Sequence, residues 1–436
     1  MALFSTSIDK NNLKIYLWIS GLIYILFLLA FFIEHEAFSV THYILFIAVL
    51  SIFSWGSVDL KNRGINAYNL FIITYFGIML LSLLLLSNLQ EAKSLYDIYY
   101  ILFGPLITLA FLYFSERINV KKVKIRFLKV SPNTIALSLL VTLILLKSYI
   151  FYTKGIRLIS FMHGDFPGGD AFVVPGITGL SNIAFWLLIM MIPFVRFRMK
   201  IFIITITIAI SILIVKRGDI MREILFLSLL FVYLKKDLLF NKKNLVILFI
   251  GALVTINIFS YFGEKRQHSH DADFSIVAML DSKIDSISFS WIYAYTAINF
   301  EVLNTYIYDD SDKIMYPFDI LKPAMNLMGM KKEIAIYEGS NWFNRIEGFN
   351  AVPYQATFIK DMGMLYIIET IIYSLMLALF ILLSRILKAE GVYIFVLTLI
   401  AFSFFGAYLL NPQFFYVAIA GLLLNIMILK EGRNSV

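Results

Sequence analysis

The chain has 436 residues, of which 60% are apolar and only 15% charged, with 41 Phe, no Cys and a formal net charge of +8. That balance lies outside soluble composition and makes lipid the main solvent. It excludes disulfides, thiolate zinc sites, iron–sulfur clusters and a cysteine nucleophile, and because the basic residues stand in short loops beside apolar runs, topology explains them better than nucleic acid does.

Apolar runs cover 13–33, 40–58, 67–87, 98–115, 134–153, 176–195, 201–215, 219–234, 244–262, 363–384, 393–409 and 414–429. In a bilayer every backbone N–H and C=O must be satisfied within the span, so runs of about 20 residues are expected as α-helices. The short alternating segments of a β-barrel are not the pattern here. Run 13–33 is too long for a signal-peptide core and lacks a small-residue cleavage site, so it reads as a retained first span. Runs 201–215 and 219–234 are the short ones, joined by the tight turn Lys216-Arg217-Gly218. No internal repeat is evident, which weighs against transporters built from repeats.

The expected fold is therefore all-α: a polytopic integral membrane protein with about twelve transmembrane helices and one large outer loop. Residues 1–262 would carry helices one to nine, 263–361 the loop, and 362–436 the last three helices. Twelve spans put both termini on one side. With that side cytoplasmic, more than half of the 37 Lys and Arg fall on it, in the segments around Lys61, Arg117 to Lys129, Arg196 to Lys200, Lys235 to Lys243, Arg385 and Lys430. The bias of cytoplasmic loops toward Lys and Arg supports this orientation.

The outer face has two substantial pieces. Residues 154–175 are glycine-rich and contain His163, Asp165 and the turn Pro167-Gly168-Gly169-Asp170. Residues 263–361 carry more Asp and Glu than Lys and Arg and are rich in tyrosine; loops this long are usually functional or disordered. Within them Ser286 to Phe300 is apolar but too short for a span, and suits a re-entrant or interfacial helix.

Charged residues inside spans are costly, at about 2.5–3.5 kcal/mol each on insertion scales. Asp219, Arg222 and Glu223 occupy the outer end of the eighth run, directly after Lys216 and Arg217. Arg217 and Arg222 could grip a phosphate or pyrophosphate with planar guanidinium forks. Alternatively, Asp219 or Glu223 neutralises Arg222 while Lys216 and Arg217 reach lipid headgroups. Lys147, two turns from the outer end of the fifth run, could join the same cavity or snorkel. Lys265 and Arg266 should emerge at the outer surface after the ninth run, as ligands or as interfacial anchors. Arg345, within Asn341-Trp342-Phe343-Asn344-Arg345, sits among aromatics and amides that suit sugars.

The histidines His35, His42, His163, His268 and His270 fall on or near the outer face, and a general base could be among them; His163, Asp165, His268 and Glu338 are the nominations. Glu369, two turns inside the tenth run, reads as a buried polar anchor. No metal site has strong ligand spacing, and no GxxxxGK loop is present, so neither metal nor nucleotide cofactor is expected. The first outer loop, Glu34 to Ser39, is too short to hold the long acidic loop of the C-type lipid-linked sugar transferases.

In layout the chain resembles the Wzy-type oligosaccharide repeat unit polymerases that build O-antigen and capsule in bacteria. Two local patterns sharpen the likeness. Lys216-Arg217-Gly218-Asp219 is similar to a Ser-Arg-Gly-like outer turn in that family, with Lys216 in place of the serine. Asn350-Ala351-Val352-Pro353-Tyr354 followed by Asp361-Met362-Gly363-Met364 looks like its Asn-rich loop end and Asp-aromatic-Gly entry to the next span, with Met362 in place of the aromatic. The resemblance implies a nucleotide-independent membrane glycosyltransferase using undecaprenyl pyrophosphate-linked oligosaccharide as donor and acceptor, on the outer face of the bacterial cytoplasmic membrane. It also implies a separate chain-length regulator as partner, besides membrane lipids. The rival readings are an O-antigen ligase, for which His268 and His270 would be the histidines to watch, and a lipid-linked oligosaccharide flippase or transporter, which should carry charge along the depth of several spans.

Overall fold

The computed structural model describes residues 40–87, 89–120, 130–162, 169–214, 217–234, 290, 293–294, 296–308, 316–330 and 352–427. Runs 13–33 and 244–262 lie outside these residues; every other apolar run coincides with a helix. We number the main helices α1 (Val40–Arg63), α2 (Ala67–Ser82), α3 (Tyr96–Arg117), α4 (Pro132–Lys154), α5 (Ile177–Met190), α6 (Phe197–Ile214) and α7 (Arg217–Leu234). After them come α8 (Asn299–Tyr308), α9 (Phe318–Leu327), α10 (Gln355–Ile386), α11 (Glu390–Ala401) and α12 (Pro412–Met427). Among the described residues there is no β-strand. Five helices there are long and apolar enough to cross a membrane: residues 41–63, 96–117, 132–160, 197–214 and 355–386.

Local chemistry sets several boundaries. Asn66 caps α2 through a reciprocal pair with Asn69, and Ser94 caps α3 in the same way with Asp97, each satisfying orphan N–H groups of a first turn. Arg63, Arg117, Lys154 and Arg385 sit in last turns, where cations meet the negative end of the helix dipole. Between the 8-residue stretch Gln355–Met362 and Tyr366, α10 makes a 3-10 turn through Gly363, whose φ of 55° falls where glycine alone is comfortable.

Four expected boundaries are corrected. The run 67–87 stops being helical at Ser82, 176–195 at Met190 and 393–409 at Ala401, while α10 begins at Gln355 rather than 363. The first case has a clear physical reason. After Ser82 the backbone is irregular, and side chains meet its polar groups: His42 bonds Leu83 O at 2.9 Å, Gln90 donates to Ser82 O at 3.0 Å, and the Tyr293 hydroxyl donates to Leu81 O and accepts from Leu86 N–H. Non-helical backbone is tolerated in an apolar setting when protein groups satisfy it.

A main apolar core joins most helices, with Trp186 of α5 against Phe395 of α11 and Phe414 of α12, and a small second cluster forms around Phe318 and Met325 of α9. Helices approach closely at glycines: a Cβ on Gly391 would stand 2.1 Å from Met190 O, the small-residue contact common between membrane helices. The outer surface stays apolar. On α10, Ile368, Leu375 and Leu379 are about half exposed, a face that suits lipid rather than water.

Charged and polar contacts gather at two ends. At one, Glu116 receives Tyr393 OH at 2.6 Å, Ala67 N–H at 3.0 Å and Arg385 at 3.8 Å, and Asn425 donates to Leu387 O. This is the end of the described basic segments. At the other, Asn299 of α8 donates to Phe404 O, Tyr354 N–H donates to Ser403 O, and Lys93 pairs with Glu301.

Candidate functional site

The second end contains the candidate site. Asp219 stands in the first turn of α7, where an acid suits the helix dipole. One turn on, Arg222 is only 6% exposed, and its Nη2 donates to Asp219 Oδ1 at 2.5 Å. The guanidinium lies over the ring of Tyr408 at 4.8 Å and that of Phe414 at 5.1 Å, so two aromatic faces and one carboxylate hold a planar cation in a single orientation. Its Nε has no hydrogen-bond partner among the described residues. Of the two acids the sequence offers to Arg222, Asp219 is the partner; Glu223 accepts instead from Ser211 Oγ of α6 at 2.6 Å.

Lys147 reaches the same place from α4. It is 5% exposed, and its Nζ donates to Asn182 Oδ1 of α5 at 3.2 Å, while Asn182 Nδ2 donates to Gln413 Oε1 of α12 at 3.4 Å. Its amine is thus buried against an amide rather than extended to a surface. Lys147, Asn182, Trp186, Ser211 and Asp219 line a narrow, partly open cleft whose water-accessible space is about 10 Å³, room for about one water. Through Asp219 the cleft brings Lys147 to the Asp219–Arg222 pair, one of the two placements the sequence leaves open for this lysine.

Of the other nominated residues, His163, Asp165, Lys216, Lys265, Arg266, His268, Glu338 and Arg345 lie outside the described residues; Arg217 opens α7, with its side chain outside the description. His42 is fully buried, bonded to Leu83 O and accepting from Lys93 N–H at 3.1 Å, which makes it a structural histidine. Glu369 is fully buried, and neither carboxylate oxygen has a hydrogen-bond partner among the described residues. Nearby, Asp361 Oδ2 accepts from Asp319 N–H at 2.8 Å, joining α9 to α10.

Sequence reasoning missed Asn182, Tyr408, Gln413 and Phe414. The amides carried a usable signal, because an Asn or Gln at the edge of an apolar run is expensive without a partner. The aromatic faces carried none, since Phe and Tyr are abundant throughout this chain. Comparison with protein-family models, curated proteins and solved structures found no match to this chain.

Proposed function

We propose that this chain is a membrane glycosyltransferase that joins undecaprenyl pyrophosphate-linked oligosaccharide repeat units into an O-antigen or capsule-type polysaccharide, with its active site on the outer face of the bacterial cytoplasmic membrane. Both termini would be cytoplasmic. The motif resemblance supplies the reaction class. The observation that carries the reading is a cleft, on the end away from the described basic segments, lined by the almost wholly buried Lys147 and by Asp219, the carboxylate that holds the almost wholly buried Arg222.

The chemistry needs such cations. An acceptor hydroxyl oxygen attacks the anomeric carbon of the donor, the bond from that carbon to the pyrophosphate oxygen breaks, and the hydroxyl proton passes to a base. Undecaprenyl pyrophosphate departs with extra negative charge, which pre-oriented donors of low mobility stabilise most in the transition state. Arg222, held by Asp219 and two rings, and Lys147, held by Asn182, are of that kind, and Arg217, Lys216, Lys265 and Arg266 would add to them. Most charge in the described helices stands near their ends, which suits chemistry at a membrane surface better than passage through the depth of a transporter.

Glycan profiles of cells carrying Arg222→Ala or Lys147→Ala, at matched protein levels beside wild type and a deletion strain, test this reading. Loss of the long-chain ladder with a single repeat unit retained supports it. An unchanged ladder refutes the site, and long lipid-linked chains that are made but never transferred point to a ligase.

A further inference from the structure

A second feature occupies the same end as the Arg222 cleft. Tyr96 and Tyr308 are 43% and 58% exposed and lie 5.9 Å apart by ring centroid. Behind them Tyr96 packs edge-on to Tyr100, Tyr100 stacks on Tyr366, and Tyr99 meets both Tyr100 and Tyr366. The hydroxyls are ordered as well: Tyr96 to Tyr100 at 3.0 Å, Tyr308 to Ser94 Oγ at 3.1 Å, Tyr99 to Met364 O at 3.1 Å. Asp97, 3% exposed, uses Oδ2 to cap Ser94 N–H, and its Oδ1 has no hydrogen-bond partner among the described residues. Its carboxyl is also close enough to the Tyr308 hydroxyl to raise that phenol above its ordinary value, after burial as the larger cause.

The backbone beneath the rings is unusual. Residues Tyr99–Phe103 form a π-turn inside α3, as Ile72–Phe76 do inside α2, a rare device that is frequent at functional sites. Helix α8 links this face to the cleft. Its first residue, Asn299, bonds Phe404 O; Phe404 stacks on Phe402, which meets Tyr408, the ring under Arg222. Its last residue is Tyr308. Ten helical residues span about 15 Å, so Tyr308 stands about that far from Asn299, the end of α8 that joins the Tyr408 side.

We infer that Tyr96, Tyr99 and Tyr308, with Ser94 and Asp97, form a saccharide-binding platform that holds the glycan of the lipid-linked substrate while its pyrophosphate end sits near Arg222. This rests on the polymerase reading. Flat rings offer apolar faces to the C–H side of a pyranose, and the hydroxyls at their edges match sugar hydroxyls, while the buried Asp97 fixes Ser94 beside them. A solitary interfacial tyrosine needs none of this shared bonding, and Tyr152, 89% exposed near the end of α4, provides that comparison.

The test is the modal chain length of the polysaccharide in cells producing Tyr96→Ala/Tyr308→Ala, beside Tyr152→Ala, Arg222→Ala, wild type and a deletion strain, all at matched membrane levels. The double variant should still polymerise, but with a several-fold lower modal number of repeats, while Tyr152→Ala behaves as wild type. Should the alanines prevent accumulation, Tyr96→Leu/Tyr308→Leu keeps apolar bulk without a flat ring and should shorten chains equally. Wild-type chain length in the double variant, or equal shortening by Tyr152→Ala, overturns the platform and leaves the rings as membrane anchors. A full ladder in the deletion strain overturns the polymerase reading itself, and the platform with it.

Discussion

Lys93 and Glu301, 208 positions apart, meet in an ion pair of 2.5 Å with side chains only 1% and 8% exposed. The pair ties the irregular segment after α2 to α8, and so supports the end that carries the cleft. Lys93→Ala leaves a buried carboxylate uncompensated and should cost about 3–5 kcal/mol, whereas replacing both partners with apolar residues of similar volume should be far milder. Thermal unfolding of the purified variants in detergent measures both; equal losses in the two would mean that the pair itself holds the segments together.

The same carboxyl sets a pH dependence. Burial raises Glu301 above its ordinary 4.5, and Lys93 pulls it part of the way back. A carboxyl whose folded pKa exceeds its unfolded one binds a proton on folding, so its stabilisation is complete below the unfolded value and is lost as pH rises through the folded value. Glu301 should therefore make wild-type protein lose thermal stability as pH climbs above about 4.5, and Glu301→Gln should make that slope shallower. Parallel curves for the two proteins would assign the dependence to other groups.

Gly391 permits the tightest glycine contact between helices among the described residues. A methyl group there would meet Met190 O at 2.1 Å, a backbone atom that cannot swing aside. Gly391→Ala should therefore push α11 from α5 and destabilise by about 1–3 kcal/mol, the usual range for overpacking. A melting temperature within error of wild type would show that the helices can separate freely.

At the cleft, charge alone should not suffice. Arg222→Lys keeps a cation but loses the planar fork and the stacking on Tyr408 and Phe414, and Arg-to-Lys exchange at such sites is not conservative. Arg222→Ala should slow chain extension by about 10²–10³-fold, as loss of a transition-state donor does, with Arg222→Lys in between. Time courses of polymer appearance would read this order; wild-type rates in Arg222→Lys would mean that only net charge matters.

Much of the helical framework was legible because lipid leaves an apolar run few alternatives. Helix ends were less so. The run from Ser82 to Leu86 has the composition of a span, yet His42, Gln90 and Tyr293 satisfy its irregular backbone, and nothing local announces His42, 41 positions away, or Tyr293, 207 positions away. The cleft was half legible for the same reason. Spacing puts Asp219 beside Arg222 and places Lys147 at the same depth, but Tyr408 and Phe414 reach the guanidinium from almost two hundred residues downstream. The tyrosine face escaped because its rings come from three helices and a π-turn, which no helical period foretells.

The most direct measurement is reconstitution of the purified protein in liposomes with undecaprenyl pyrophosphate-linked repeat units and no nucleotide. The account predicts a ladder of lengthening lipid-linked glycans with release of undecaprenyl pyrophosphate for each unit joined, and loss of both in Arg222→Ala. Repeat units that remain single in liposomes containing folded wild-type protein, whether or not they cross the bilayer, would contradict it.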